Sequence, residues 1–379
     1  GTSDAYPVNA WLALTNQCNL RCVHCAIRYD ENRPTERIEL SDAAFRAFVT
    51  QILPHLETLK LGGNNLGEQL TATGWRERIA PLIASGVKLT LQTNGLLLTD
   101  EVVEELVAAG AEFDISVEGA DAASYAVIRG NHFDQMLASV ARIVEARSRH
   151  PESGTRVLFS CVAFHDNARQ LPELVRLAAR TGADAVAVMH LVPVWEEQRY
   201  QSLVYHRSLA NEAFAEARRV AEECGVELIA PRPFDVGAMS RKGTSGAAGA
   251  GDVRPLPSCG HPWTSVSVNE KGEVTPCCNS YMVMGDLNAG SFDRIWNGTR
   301  YRRLRATVNT PGAPVNCRTC VLRDYEGTDE PLLLAAIGPN PGFAASMMFM
   351  RRAQRALRGS RLGARVLPAA KNAFRRWSR

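Results

Sequence analysis

Acidic residues are missing from the end of this chain. From Pro331 to Arg379 there is no Asp or Glu, whereas ten of the 43 Lys and Arg residues fall there, so residues 1–330 set 33 basic against 40 acidic side chains. The formal net charge of +3 thus joins a mildly acidic body to a basic tail. Also missing is any run near the roughly 18 apolar residues of a membrane span, which argues against a helical membrane protein. The opening "GTSDAYPVNAWLALT" has neither a basic n-region nor a sustained apolar stretch, so no secretory signal is expected. Without one, ten cysteines do not read as a disulfide framework. They point to metal or redox use in a reducing, cytoplasmic setting.

What is present first is alternation. Strands are expected at 8–14, 57–61, 88–92, 112–117, 156–164 and 184–191, separated by amphipathic stretches with helix punctuation. Ser41 and Thr99 stand as N-caps, and Gly110, Gly182 and Gly225 close helices. Six βα units imply a parallel sheet with right-handed crossovers. A doubly wound sheet and a barrel both fit, and either gathers its ligands at the carboxyl ends of the strands. Residues 235–258, rich in Gly, Ala and Ser, read as a linker. The divisions are therefore 1–234, the linker 235–258, a cysteine-bearing region 259–330, and the tail 331–379.

The loop after the first strand, "TNQCNLRCVHCAIRYD", carries Cys18, Cys22 and Cys25 within eight residues. Four thiolates normally ligate a 4Fe–4S cluster, so three leave one iron open to an external chelator. Spacing alone also admits a zinc site with a distant fourth ligand, with His24 inside the triplet, or plain burial.

C-x3-C-x2-C in this position resembles the radical S-adenosylmethionine (SAM) superfamily. "LGGNNLGEQL" (61–70) follows the second strand, where the family's Gly-Gly-Glu segment meets the SAM amino group; the insertion of Asn64, Asn65 and Leu66 departs from the compact family form. "LQTNGLLLT" (91–99), "DISVEGAD" (114–121) and "YAVIRGNHFDQML" (125–137) extend the likeness over roughly residues 8–230. It implies a partial (β/α)6 barrel. It also implies SAM contacts at Gly62, Gly63, Glu68, Thr93, Asn94, Ser116 and Arg129, with Arg129 suited to the SAM carboxylate. The implied activity is generation of a 5′-deoxyadenosyl radical that abstracts hydrogen from a substrate C–H, driven by a reductant such as flavodoxin or ferredoxin.

"CGHPWTSVSVNEKGEVTPCC" reads as a hairpin turning at "EKG" and flanked by cysteines, and a C-x2-C pair follows. Geometry alone leaves iron–sulfur and zinc open there. The spacing is similar to the SPASM/Twitch extension of radical SAM enzymes. No cysteine follows Cys320, so the likeness is to the shorter Twitch form, implying one auxiliary 4Fe–4S cluster on Cys259, Cys277, Cys317 and Cys320, and two clusters in all.

Three cysteines remain. Cys224, before Gly225, reads as a core residue. Cys161 and Cys278 are candidates to return a hydrogen atom to a substrate radical, against a packing role for each. His190 and Glu197, at the end of the sixth strand, are candidate catalytic contacts, although a strand-end histidine is commonly structural. The tail, with Met, Leu, Phe and Trp among its basic residues, reads as a solvated extension or as an amphipathic contact to an anionic membrane surface; with an acidic body, nucleic-acid binding is not expected. The expected function is radical SAM epimerisation of a carbohydrate- or cyclitol-type substrate. The alternatives are dehydrogenation of a carbinol with the auxiliary cluster as electron acceptor, a peptide-modifying maturase, and a non-enzymatic zinc scaffold.

Overall fold

A computed structural model describes residues 3, 5–25, 36–62, 67–191, 198, 201–234, 258–318 and 320. Gly63, Glu197, most of the linker and the basic tail lie outside the described residues.

All six expected strands form: β1 (Asn9–Leu12), β2 (Thr58–Leu61), β3 (Lys88–Thr93), β4 (Glu112–Ser116), β5 (Arg156–Ala163) and β6 (Ala185–His190). The helices between them are α1 (Asp42–Gln51), α2 (Trp75–Ala84), α3 (Asp100–Ala108), α4 (Ala122–Arg129) with α5 (Phe133–Arg149), and α6 (Leu171–Thr181); α7 (Arg207–Cys224) then leads to a short seventh strand, β7 (Glu227–Ile229). Strands β1 to β7 lie side by side in chain order, and all pair in parallel. A doubly wound sheet would reverse its order at a switch point. Consecutive order is the singly wound arrangement of a partial barrel.

Alternation along each strand sorts the two faces. Leu59 and Leu61, Leu89 and Leu91, Phe113 and Ile115, and Val157 and Phe159 are buried in the core, on the face the helices cover. Lys60, Gln92, Asp114 and Ser160, one residue out of phase, share the inner face.

Punctuation behaves as expected at most ends. The Ser41 hydroxyl accepts from the Ala44 N–H at 3.1 Å, and Gly182 and Gly225 close α6 and α7 in left-handed conformations. Thr99 takes the N-cap position of α3 in extended conformation as expected, with its hydroxyl donating to Glu101 at 3.1 Å and accepting from no helix N–H. Cys224 departs from its expected core position. It is exposed, since the helix ends there and turns its last residue outward.

The hairpin expected in the second cysteine region is present as β8 (Ser265–Val268) and β9 (Glu273–Thr275), entered through α8 (His261–Thr264). Gly272 sits in its turn at φ +82°, and a Cβ there would lie 2.5 Å from Asn288 Nδ2 and 3.0 Å from the Ala44 Cβ on α1. Only glycine satisfies both the backbone and that close approach. The sequence did not announce where the hairpin goes. Strand β8 pairs in parallel with β1, Asn9 opposite Ser265 through Leu12 opposite Val268, and β10 (Gly285–Asp286) follows β9 antiparallel. One ten-stranded sheet results, in the order β10-β9-β8-β1 through β7. Helices α9 (Phe292–Trp296), α10 (Thr299–Thr307) and α11 (Val315–Arg318) complete the region, with the Trp296 indole N–H donating to the Ala5 carbonyl at 2.9 Å.

Candidate active site

The cysteine triplet leaves β1 at its carboxyl end and is held from two sides. The Val23 N–H donates to the Ile128 carbonyl of α4 at 3.0 Å. The Glu68 N–H donates to the Gln17 carbonyl at 2.7 Å. Gly67 passes so near that a Cβ would stand 2.5 Å from the Thr15 carbonyl oxygen. Burial, aided by the charges of Glu68, Cys22 and Cys25 and opposed by the Leu20 N–H, pushes the Cys18 thiol up to about 12. Burial likewise lifts Cys22 to about 11, although Arg129 pulls it down. Three neighbouring thiols, Cys22 buried and Cys18 and Cys25 partly so, that repel one another as thiolates make a donor set that calls for a cationic centre to deprotonate them.

Around the triplet stands a buried polar frame. Burial pushes the Glu68 carboxyl up against the hydrogen bonds that it accepts, from the Thr93 hydroxyl at 2.9 Å and the Asn94 N–H at 2.8 Å. The Asn94 amide donates to Asn19 in the cysteine loop at 2.8 Å. Glu68, Thr93 and Asn94 are thus brought together in one hydrogen-bonded group. Gly62 closes β2 at φ +88°, where a Cβ would lie 3.2 Å from the Gln92 carbonyl oxygen. Ser116 ends β4 in register with Ser160.

Arg129 is 8% exposed and its guanidinium donates to the Glu118 carboxylate. Burial alone would push the Glu118 carboxyl up, but the charges of Arg129 and His24 and the Arg129 hydrogen bond hold it below the usual range. The His24 Nε2 lies 3.6 Å from Glu118, so this pair backs the middle of the triplet. Glu118 was missed in the sequence. A carboxylate just past the end of β4, with one Arg in the next helix, was the signal.

The second set is assembled from distant segments. Cys259, Cys277, Cys317 and Cys320 line one cavity with His261, Asn279, Ser280 and Asn316. Burial pushes the Cys277 thiol up, and Cys278, Cys320 and Cys259 add to it. Among the described residues, neither cysteine set closes into the coordination shell of a single metal ion. A four-iron cube is larger than one ion, and thiols spaced around a cavity suit it better.

The remaining cysteines part company. Cys278 is absent from the lining of that cavity, and its thiol feels the Lys60 ammonium, which belongs to the inner face. Cys161 shares the helix-side face with Val157 and Phe159, is 1% exposed, and accepts a long contact from the Asn167 amide at 3.8 Å. His190 does not join the site either. It packs at 5.5 Å from the Phe214 ring of α7 and 4.9 Å from Phe234, and burial lowers its pKa to about 4. The inner face instead holds Lys60, whose Nζ lies 2.5 Å from Asp114 Oδ2.

A family model described as the radical SAM superfamily matches residues 12–186, and one described as an iron–sulfur cluster-binding domain (SPASM) matches 259–321. The chain thus carries a radical SAM domain followed by an iron–sulfur cluster-binding one. Over 328 residues it is 26% identical to the tungsten-containing aldehyde ferredoxin oxidoreductase cofactor-modifying protein of Pyrococcus furiosus (83% of this chain, 87% of that one). It is 26% identical to the AdoMet-dependent heme synthase of Methanosarcina barkeri (85% and 93%). It is 25% identical to the mycofactocin maturase MftC of Mycolicibacterium smegmatis (82% and 75%). The fold matches SuiB of Streptococcus suis bound to SAM, with a TM-score of 0.58 at 14% identity over 80% of this chain and 68% of that one. A radical SAM enzyme of this kind carries a 4Fe–4S cluster with SAM and an auxiliary iron–sulfur centre, which sets aside the zinc scaffold. The two thiol sets fit these groups: three cysteines in one loop, and four around one cavity. Among the described residues no helix is long and apolar enough to cross a membrane.

Proposed function

We propose that this radical SAM enzyme epimerises a carbon of a hydroxylated small molecule, of carbohydrate or cyclitol type, bound against the inner face of the barrel. Residues 1–234 form the catalytic unit and 259–330 the auxiliary one, of the Twitch form. The chemistry that the first cluster and SAM supply when bound is homolytic removal of a hydrogen atom from an unreactive C–H. Gly62, Glu68, Thr93, Asn94, Ser116 and Arg129 would hold SAM beside the triplet, with Glu68 fixing the Thr93 hydroxyl and the Asn94 N–H and Glu118 fixing Arg129.

The observation that carries the outcome is the placement of Cys278. It stands beside the auxiliary cavity yet within the field of Lys60. A thiol that is no cluster ligand keeps its hydrogen at neutral pH, and burial of Cys278 favours that form, against the pull of Lys60. The Cys278 S–H bond breaks homolytically, a C–H bond forms on the face opposite abstraction, and the thiyl left on sulfur takes one electron and one proton. That electron comes from a flavodoxin- or ferredoxin-class reductant in a reducing, cytoplasmic setting. Cys161, on the other side of the sheet, serves packing.

The test is turnover in D2O. A thiol exchanges with solvent, so the product should gain one carbon-bound deuterium, and Cys278→Ala should cleave SAM without forming that product. Product free of solvent deuterium overturns the reading. The relative named as a maturase favours a second reading, modification of a larger precursor. A reaction of Cys278→Ala enzyme with a precursor peptide, at the wild-type rate, would decide for it.

A further inference from the structure

Polar side chains meet on the inner face of the sheet, and none was singled out in the sequence. Lys60 on β2 reaches over β3 to Asp114 on β4, Nζ to Oδ2 at 2.5 Å. Asp114 is 1% exposed and accepts the Ser160 hydroxyl of β5 through its other oxygen. Gln92, on the strand between, pairs in register with Asp114. Its side-chain carbonyl oxygen is buried and has no hydrogen-bond partner among the described residues. The Lys60 side chain is 31% exposed, and its ammonium has N–H groups beyond the one given to Asp114. Trp11, in register with Lys60 on β1, is half-buried, out of phase with the core residues Ala10 and Leu12, and so borders the same row.

These groups discriminate by charge. A buried carbonyl oxygen without a partner costs free energy until a ligand donates to it. The Lys60 cation is already compensated by Asp114. A carboxylate or phosphate set on Lys60 would therefore face the Asp114 carboxylate and the Gln92 carbonyl as well. A hydroxyl meets no such conflict: it accepts from Lys60 and donates to Gln92 Oε1. The Trp11 indole offers an apolar surface for the C–H side of a ring.

We propose that Lys60, Gln92, Asp114 and Trp11 form the recognition site for the substrate, and that it selects a neutral hydroxylated ring over an anionic one. Lys60 and Gln92 hold one hydroxyl, and Asp114 excludes negative charge. The proposal rests on the reading of the inner face as the substrate site, and it adds the residues and the charge class.

The test uses the full chain with both clusters reconstituted, SAM and dithionite, under anaerobic conditions. Release of 5′-deoxyadenosine is followed against concentration of two probes, myo-inositol and glucose 6-phosphate. Wild type should half-saturate with myo-inositol at about tenfold lower concentration than with glucose 6-phosphate. Gln92→Leu should raise the myo-inositol value about tenfold, the worth of one hydrogen bond. Asp114→Asn, which keeps the shape but leaves Lys60 uncompensated, should reverse the order of the probes. Iron content per chain confirms that each variant is assembled, and Gln92→Met replaces Gln92→Leu if the latter holds no iron. A preference of wild type for glucose 6-phosphate, an unchanged order in Asp114→Asn, or no response to either probe overturns the proposal. Failure of the epimerisation reading shows separately, as myo-inositol recovered from D2O without carbon-bound deuterium while the pattern of half-saturation holds.

Discussion

Cys18, Cys22 and Cys25 lie within eight residues of a single loop, whereas Cys259, Cys277, Cys317 and Cys320 come from a helix start, a hairpin end and a C-x2-C turn that only the fold unites. The first set is backed by a buried cation, Arg129, locked to Glu118. A site written in one loop depends on what presses against that loop. A site gathered from three segments depends on the turns and pairings that hold the segments in place. The two should therefore fail for different reasons.

The largest effect separates them outright. Replacing Cys18, Cys22 and Cys25 by Ala should lower iron per chain from about eight to about four and abolish SAM cleavage, whereas the same treatment of Cys317 and Cys320 should halve the iron and leave SAM cleavage measurable. Equal loss at both sites from either variant would break the comparison.

Next comes the buried pair behind the first site. Glu118→Gln leaves the Arg129 cation uncompensated and should cost about 3–5 kcal/mol, read as a fall in the midpoint of chemical unfolding. Its pH dependence has a definite sign. Arg129 holds the folded Glu118 carboxyl below its usual value, so its stabilisation is complete above the unfolded carboxyl's pKa. It is lost as pH falls through the folded one. Acid unfolding of wild type should show this loss and Glu118→Gln should not.

A smaller effect tests the other site through its turn. Gly272→Ala forces φ +82° and a clash with Asn288, costing about 1–3 kcal/mol. Auxiliary iron should fall while the triplet's iron stays. The smallest probes neither cluster. His190 is buried neutral with its pKa lowered to about 4, so it contributes stability above its ordinary value that is lost as pH falls from there towards 4. That loss, at most about 3 kcal/mol, should be absent from His190→Leu when thermal midpoints are compared at pH 7 and pH 4.5.

How much was legible follows the same division. The triplet, the six strands and the Ser41 cap each depend on neighbours within a few residues, and they were read from spacing and period. Cys224 was misjudged at a helix end, where the direction of the last turn decides. Glu118, Lys60 and Asp114 went unremarked because a charged residue in a strand gains meaning only from the strand beside it.

The order of chain elements determined by itself that a parallel βα sheet would form and that one cysteine loop would sit at its carboxyl rim, since both follow from local periodicity and a short loop. Tertiary structure alone decided that β8 would join β1 and so continue the sheet into the auxiliary region. It also decided that Cys278 would feel Lys60 while Cys161 and His190 turned to the helices. A one-residue change of phase reverses a side chain's face, and nothing short of the assembled sheet says which face becomes the inside.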